Sequence, residues 1–561
     1  MSVSSSSTDA GAAAGGPAPG LAARLWRRDL PHYPETGRRY GYLAIVVVTT
    51  IVLYYLLYIQ YAVATSIMTH YSMSFAYFIL LSVIGNVIGA FASLLAGLAD
   101  RWGRANLVVY GLLIAGLLVL ALPHSPGKHV FLVLFAALSF IEGIVLVATP
   151  ALIRDFSPQL GRATAMGFWT MGPVLGSLVV TTVTSATLDT SGWQDELRYS
   201  GYTALVVFVI ALFGLRELSP ALRDQIMVSM RDRALIEARA KGIDPAAQAS
   251  GHWRQRMRLD VVGSAFAISV YLLLYYAAVG NFVIYFSATF GYSEQRTNGL
   301  ANWYWAANAI ALVVAGLLSD RLGVRKPLML VGGIGSVAAT AYFAQLAVHP
   351  DTGYYTFAWL FIAIGVFGGL AYAPWMAGFT ETVEKHNPAA TATGLAVWGW
   401  ILRLVVAGSA AFVPLVVTSV TPLVEHGHEV QVASKEAAPA LAIVNQHPQI
   451  FAELGKYPPG QAPQELQARA AKEVGLPGLA TVQKAQPQLA VLKEHGAEVQ
   501  KASEEGPGQW RTWWYVCLGG QIVFLPFIFI MTGRWSPKRA REDAEAHQRA
   551  IEKELAALGK D

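Results

Sequence analysis

Two charged residues stand inside stretches of this chain that are otherwise almost wholly apolar. Glu142 falls near the middle of the run 130–153, and Arg403 near the middle of the run 389–420. A charge at the centre of a membrane helix costs roughly 2.5–3.5 kcal/mol on insertion scales, so it normally faces a cavity or a partner. The neutral form of a carboxyl group is far cheaper to bury than the charged form, which suits Glu142 to carrying a proton; a structural hydrogen bond or ion pair is the alternative. Arg403 cannot give up its proton and suits a fixed counter-charge, either for an anionic solute or for Glu142 itself. Polar and aromatic residues recur in the same kind of setting. Tyr54, Tyr58 and Tyr61 repeat at i, i+4 and i+7, and Asn298, Asn302, Trp305 and Asn308 fall on one face of another helical run, with Asn281, Tyr285 and Trp375 elsewhere. Each alone reads equally as an interfacial anchor or as helix glue. Together, amides and phenols can hydrogen-bond a hydrophilic solute while their rings stack on its apolar faces. The candidate substrate-binding set is therefore Tyr58, Asn281, Asn302, Trp305, Asn308, Trp375 and Arg403, with Glu142 as the proton-coupling residue.

The elements that position these residues follow from composition. Of 561 residues, 54% are hydrophobic and 14% charged, against about 25% charged in soluble domains. Runs of about 20 apolar residues, each able to cross a hydrocarbon core of about 30 Å, recur along the chain. They fall near 41–65, 73–99, 105–122, 130–153, 161–188 and 199–215, then near 260–290, 295–319, 327–348, 353–378, 389–420 and 511–533. The runs are continuous rather than alternating, so they read as helices and not barrel strands. The expected fold is an all-α polytopic membrane protein of twelve transmembrane helices in two six-helix halves. Its predicted parts are a disordered cytoplasmic arm (1–40), a first bundle (41–215), a cytoplasmic linker (216–259), helices seven to eleven (260–420), an extracellular helical insertion (421–510), helix twelve (511–533) and a cytoplasmic tail (534–561).

Lys and Arg collect in the arm, the linker and the tail, while the loops on the other side hold Lys128, Arg198 and Arg296. Both termini are thus expected in the cytoplasm of a cell-membrane protein. The net charge of +5 reflects this asymmetry and gives nucleic-acid binding little support. Residues 1–36 lack an apolar core followed by a cleavage site and read as an arm rather than a signal peptide. The linker has Ile226, Met227 and Met230 among arginines and reads as a helix lying on the inner leaflet. The single cysteine, Cys517, excludes an intrachain disulfide and a thiolate metal cluster. No phosphate-binding loop, nucleophile elbow or zinc-ligand spacing occurs, so no cofactor, metal or enzymatic activity is expected, and an ion gradient is the expected energy source.

Two short strings repeat at matching places. After the second run stands Ala96-Gly-Leu-Ala-Asp100-Arg101-Trp-Gly103-Arg104, and after the eighth stands Gly316-Leu-Leu-Ser-Asp320-Arg321-Leu-Gly323-Val-Arg325-Lys326. Here the chain resembles the major facilitator superfamily, whose loop signature runs Gly-x-Leu-x-Asp-Arg-x-Gly-Arg-Arg/Lys. The first copy departs from it at Ala96 and Ala105. The resemblance covers roughly 41–420 and 511–533 and implies a transporter that rocks two halves around a midplane site. It further implies that Asp100, Arg101, Arg104, Asp320, Arg321 and Arg325 are gate latches. Asp155, ending the fourth run, is the implied acid for Arg104, and by internal symmetry Glu381 is the acid for Arg325. The segment Glu142-Gly143, Pro150, Arg154-Asp-Phe-Ser-Pro158, Gly161-Arg162-Ala163 resembles the anion/cation symporter branch, which carries organic anions, commonly with protons; Phe135 stands near where many of its members carry an arginine. Gly172-Pro173-Val-Leu-Gly176-Ser177 resembles an element of proton-coupled drug antiporters, although small residues also let any two membrane helices pack closely.

Within the insertion, Glu425-His-Gly-His-Glu-Val-Gln-Val-Ala-Ser-Lys-Glu436 recurs as Glu494-His-Gly-Ala-Glu-Val-Gln-Lys-Ala-Ser-Glu-Glu505, and Leu441-Ala-Ile-Val is echoed by Leu479-Ala-Thr-Val. A duplicated helical unit is expected, with turns at Pro458-Pro459-Gly460 and Pro477-Gly478. The leading functional reading is proton-coupled symport of a small polar organic solute, an organic anion or a sugar. Proton-antiport efflux is the first rival, and a receptor or scaffold using the insertion to hold an extracellular partner is the second.

Overall fold

A backbone in hydrocarbon must satisfy its own hydrogen bonds, and the apolar runs of this chain do so as helices. A computed structural model describes residues 26–93, 95, 102–156, 170–220, 222, 258–386, 391–458 and 461–558. The first set of elements is β1 (Asp29–Leu30), α1 (Thr36–Ala62), α2 (Ala64–His70), α3 (Phe75–Ser93), α4 (Arg104–Ala121), α5 (Lys128–Phe156), α6 (Gly172–Thr187), α7 (Trp193–Gly214) and β2 (Glu217–Leu218). The second set opens with α8 (Leu259–Phe290), α9 (Glu294–Leu322), α10 (Lys326–Leu346), α11 (Tyr354–His386) and α12 (Thr391–Val416). The insertion contributes α13 (Val420–Glu425), α14 (Gly427–Glu436), α15 (Ala438–Gln446), α16 (Pro448–Leu454), α17 (Gln464–Glu473) and α18 (Leu476–Lys484). A long α19 (Gln486–Ile530) rejoins the bundle, and α20 (Pro537–Leu558) follows it.

Among the described residues, eleven helices are long and apolar enough to cross a membrane. The apolar helix α6 is shorter, at 16 residues, and residues 157–169, in which the expected fifth span begins, lie outside the described set. So do Asp100 and Arg101, residues 1–25 of the arm, and nearly all of the linker.

Helix ends follow local chemistry. The helix α9 starts at Ser293, whose Oγ accepts the Arg296 N–H at 3.2 Å, with Glu294 in the first turn, and it stops at Gly323 with φ +66°. The last helix differs from expectation. Its 45 residues rise roughly 68 Å at 1.5 Å each, more than twice the hydrocarbon thickness. What reads in the sequence as a break near 510 is therefore continuous helix, with Pro507 inside it, that runs from the insertion into the bundle.

Residues 26–35, expected as part of a disordered arm, are instead docked. β1 pairs in parallel with β2, and buried Arg28 donates from Nε to Asn106 Oδ1 (2.9 Å) and from Nη1 to the carbonyls of Leu212 (2.5 Å) and Leu215 (3.3 Å). A guanidinium placed against helix-end carbonyls satisfies acceptors that the helix leaves open.

The two copies of the insertion repeat pack on each other. The helix α14 lies along the insertion part of α19, and the rings of His426 and His495, equivalent in the two copies, stack 3.7 Å apart at 6°. Ala437, Ala440, Val482 and Ala485 form a small core of their own between α15 and α18. Pro477 and Gly478 do not form the expected turn. They lie in the first turn of α18, and the chain turns at Gly475, φ +79°, because proline is tolerated at a helix start.

Candidate functional site

Between the two helix sets lies a cavity of about 300 Å³, lined by residues of α1, α3, α5, α6, α8, α9, α10, α11, α12 and α19. Tyr58, Glu142, Asn281, Asn308 and Arg403 all face it. Glu142 is buried, and its Oε1 has no hydrogen-bond partner among the described residues. Arg403 reaches from α12 to α3 and donates from Nη1 to the Gly89 carbonyl at 2.6 Å, close enough to Glu142 for its charge to act on the carboxyl group. The dipeptide Glu142-Gly143 explains part of this placement. A Cβ at Gly143 would lie 2.6 Å from the Gly89 carbonyl oxygen, so only glycine lets α5 press against α3 and set Glu142 beside the carbonyl that Arg403 also uses.

The polar atoms around the cavity share one property. Glu142 Oε1, Tyr275 Oη, Asn281 Oδ1, Trp398 Nε1 and Gln521 Oε1 are all buried without a partner among the described residues. Buried polar groups are normally hydrogen-bonded, so a cluster of such atoms around one cavity points to water or a ligand as their partner. Tyr275, Tyr276, Tyr372, Trp398 and Gln521 escaped the sequence reading. Tyr271 and Tyr275, four apart on α8, carried a helical-spacing signal; Gln521 had only its polarity within an apolar run.

Three expected substrate ligands lie elsewhere. Trp375 is fully buried behind the cavity wall, stacked on Phe379 (4.9 Å, 19°) and Tyr372 (6.1 Å, 12°). Asn302 belongs to a seam between α6 and α9: it accepts from Thr181 Oγ1 (2.6 Å) and Thr182 Oγ1 (3.2 Å) and donates to Ser185 Oγ (3.1 Å). Trp305, buried beside that seam, meets Tyr275 edge-on at 5.1 Å. The periodicity that places Asn298, Asn302, Trp305 and Asn308 on one face is real, but the face runs from seam to cavity, so only its lower end reaches the cavity.

At the opposite end of the bundle from the insertion, Arg104 Nη1 lies 2.8 and 2.6 Å from the two Asp155 carboxylate oxygens. Arg325 donates to Asp320 Oδ1 (2.7 Å), Glu381 Oε1 (3.2 Å) and Ser319 Oγ (2.7 Å). Arg321 is exposed on the last turn of α9. Glu217, which the sequence reading missed, accepts the Arg104 backbone N–H at 2.8 Å. Gly103 is required beside it: its φ is +87°, and a side chain there would collide with the Glu217 carboxylate. On α6, a Cβ at Gly172 would lie 2.7 Å from Thr50 and one at Gly176 2.5 Å from Tyr54, so these glycines serve the packing of α6 against α1.

A family model, the Major Facilitator Superfamily, matches residues 46–293 and 264–421. The chain belongs to that superfamily. Its relatives include the uncharacterized MFS-type transporter YybF of Bacillus subtilis, 24% identical over 47% of this chain and 60% of that protein. They also include the 4-hydroxybenzoate transporter PcaK of Pseudomonas aeruginosa, 30% identical over 24% of this chain and 30% of that protein. The chain thus spans less than two thirds of the length of either relative. Among solved structures, a bacterial homologue of the human lysosomal transporter Spinster shares the fold, with a TM-score of 0.55 at 15% identity over 89% of this chain and 97% of that one. The protein is a multi-pass membrane protein of this superfamily.

Proposed function

We propose that the protein is a secondary active transporter with twelve spanning helices that works by alternating access and carries a small organic solute together with a proton. The carrying observation is the cluster of buried, internally unpartnered polar atoms around one cavity between the two helix sets. Both termini lie in the cytoplasm and the insertion outside, as the distribution of Lys and Arg favours. Arg403 is the guanidinium that lines the cavity, Glu142 its carboxyl group, and tyrosines supply ring faces. That combination suits a monoanion with an apolar or aromatic body, a reading supported by the similarity to a 4-hydroxybenzoate transporter.

The cycle follows from the contacts. Glu142 takes a proton, which removes a second negative charge from the cavity before the anion arrives. The solute then competes for Arg403, whose bond to the Gly89 carbonyl ties α12 to α3; binding loosens that tie, and the halves can move. The pairs around Arg104 and Arg325, with Asp100 and Arg101, act as latches at the cytoplasmic end. Efflux by antiport draws less support, since the glycines of α6 are accounted for by packing. Uptake of labelled aromatic acids into proteoliposomes under an imposed pH gradient tests the proposal; equal uptake with and without the gradient would refute proton coupling.

A further inference from the structure

Glu294 is a buried carboxylate, and the function proposed above makes no use of it. It opens α9 at the insertion end of the bundle and reaches across to the first helix set. There its Oε1 accepts from Thr65 Oγ1 (2.6 Å) and the Ser66 backbone N–H (2.8 Å), and its Oε2 from Ser66 Oγ (2.5 Å). No ion pair joins it to a cation among the described residues: Arg296, two residues on, lies instead over the rings of Tyr292 (4.3 Å) and Tyr354 (5.6 Å). The carboxyl group of Glu294 is thus held by donors from the other half of the molecule.

The surrounding seam has the same character. Asn298 donates to the Ala62 carbonyl (2.8 Å), Gln295 to the Ser185 carbonyl (3.2 Å), and Asn302 bonds Thr181 and Ser185. Below Glu294 a void of about 20 Å³, lined by Tyr58, Thr181, Asn298 and Trp305 among others, separates this seam from the main cavity.

We infer that Glu294 is a gating residue: its carboxylate clasps the two helix sets at the insertion end, and the clasp releases each time the cavity opens there. This rests on the alternating-access reading above. Charge-assisted hydrogen bonds are about twice as strong as neutral ones, and they strengthen where water is excluded. Closed, the seam therefore favours one arrangement. Every group in it is also readily hydrated, so once water enters on opening, little is lost. Such a seam is a latch, whereas an interlocked apolar contact of the same size would weld the halves shut.

The test is a distance measurement with no solute present. Spin labels go on Asp189→Cys and Asp351→Cys, exposed positions in loops of the two halves at the insertion end, in a Cys517→Ala background reconstituted in lipid discs. Glu294→Ala is expected to add a longer-distance population that the parent lacks, and Thr65→Val with Ser66→Ala to add the same one. Glu294→Gln should add less, because its amide oxygen still accepts the Ser66 N–H. Asp195→Ala, which removes an exposed carboxylate at the same end, should leave the distances unchanged. If Glu294→Ala does not fold, the Thr65/Ser66 variant, which leaves α9 intact, decides alone. Distances that superimpose on the parent in the folded variants overturn the clasp even if proton-driven uptake is intact, whereas a shifted distance alongside uptake indifferent to pH would overturn the coupling and leave the clasp standing.

Discussion

At the insertion end, the helix sets meet through Glu294, Asn298, Asn302, Thr181 and Ser185, and these side chains find their hydrogen-bond partners across the seam. Midway down the bundle, Glu142, Tyr275, Asn281 and Gln521 each bury a polar atom that finds none among the described residues. Both regions use a glutamate and asparagines beside hydroxyl groups. A satisfied seam is complete without a ligand and contributes closure, while an unsatisfied cavity contributes binding, because only an incoming group or water can relieve the desolvation of its polar atoms.

The largest expected effect falls on the cavity. Glu142→Gln should abolish accumulation driven by a pH gradient while leaving solute exchange intact, as measured with labelled solute in proteoliposomes; accumulation that persists removes Glu142 from the mechanism. Arg403→Ala comes next. Losing one charge-assisted bond worth about 1.5–3 kcal/mol should raise the apparent KM for an anionic solute about 10- to 100-fold and leave a neutral analogue almost unaffected. An equal loss for both would mean that Arg403 acts only as the tie to Gly89.

A second contrast concerns stability. The side chains of Arg104 and Asp155 are 13% and 7% exposed, whereas Glu381, paired with Arg325, is 42% exposed. Breaking a buried pair costs about 3–5 kcal/mol and an exposed one about 0–1 kcal/mol. Asp155→Asn should therefore lower Tm clearly more than Glu381→Gln, and equal shifts would show that the two latches are energetically alike. Smallest of all, Asn302→Ala removes seam bonds worth about 0.6 kcal/mol each in membrane proteins. It should alter the transport rate with KM unchanged, whereas Asn281→Ala should change KM; a KM effect at Asn302 would move it from seam to site.

The positions of the helices were legible in the chain because hydrocarbon leaves the backbone few choices. The expected runs and the observed helices overlap throughout the described residues, and α6 lies within the run expected at 161–188. Glu142 and Arg403 were legible for the same reason, as charges where charge is expensive. Asn302 and Trp305 show where periodicity stops: it assigns residues to a face, but a face 29 residues long crosses a seam, a cavity and an exposed end. Glu294 was missed because, at the start of a span, it looks like any solvated helix end. Arg28 and Glu217 were missed because their partners lie 78 to 187 residues away.

By itself, then, the sequence determined that this chain crosses a membrane many times as helices, that its two halves carry related motifs, and which charges would be costly enough to matter. Those are properties of single segments against their solvent. Tertiary structure alone decided which polar side chains are satisfied across the halves and which face the cavity unsatisfied. That outcome depends on which helices lie side by side, on close approaches such as Gly143 against Gly89, and on a last helix that runs unbroken from the insertion into the bundle.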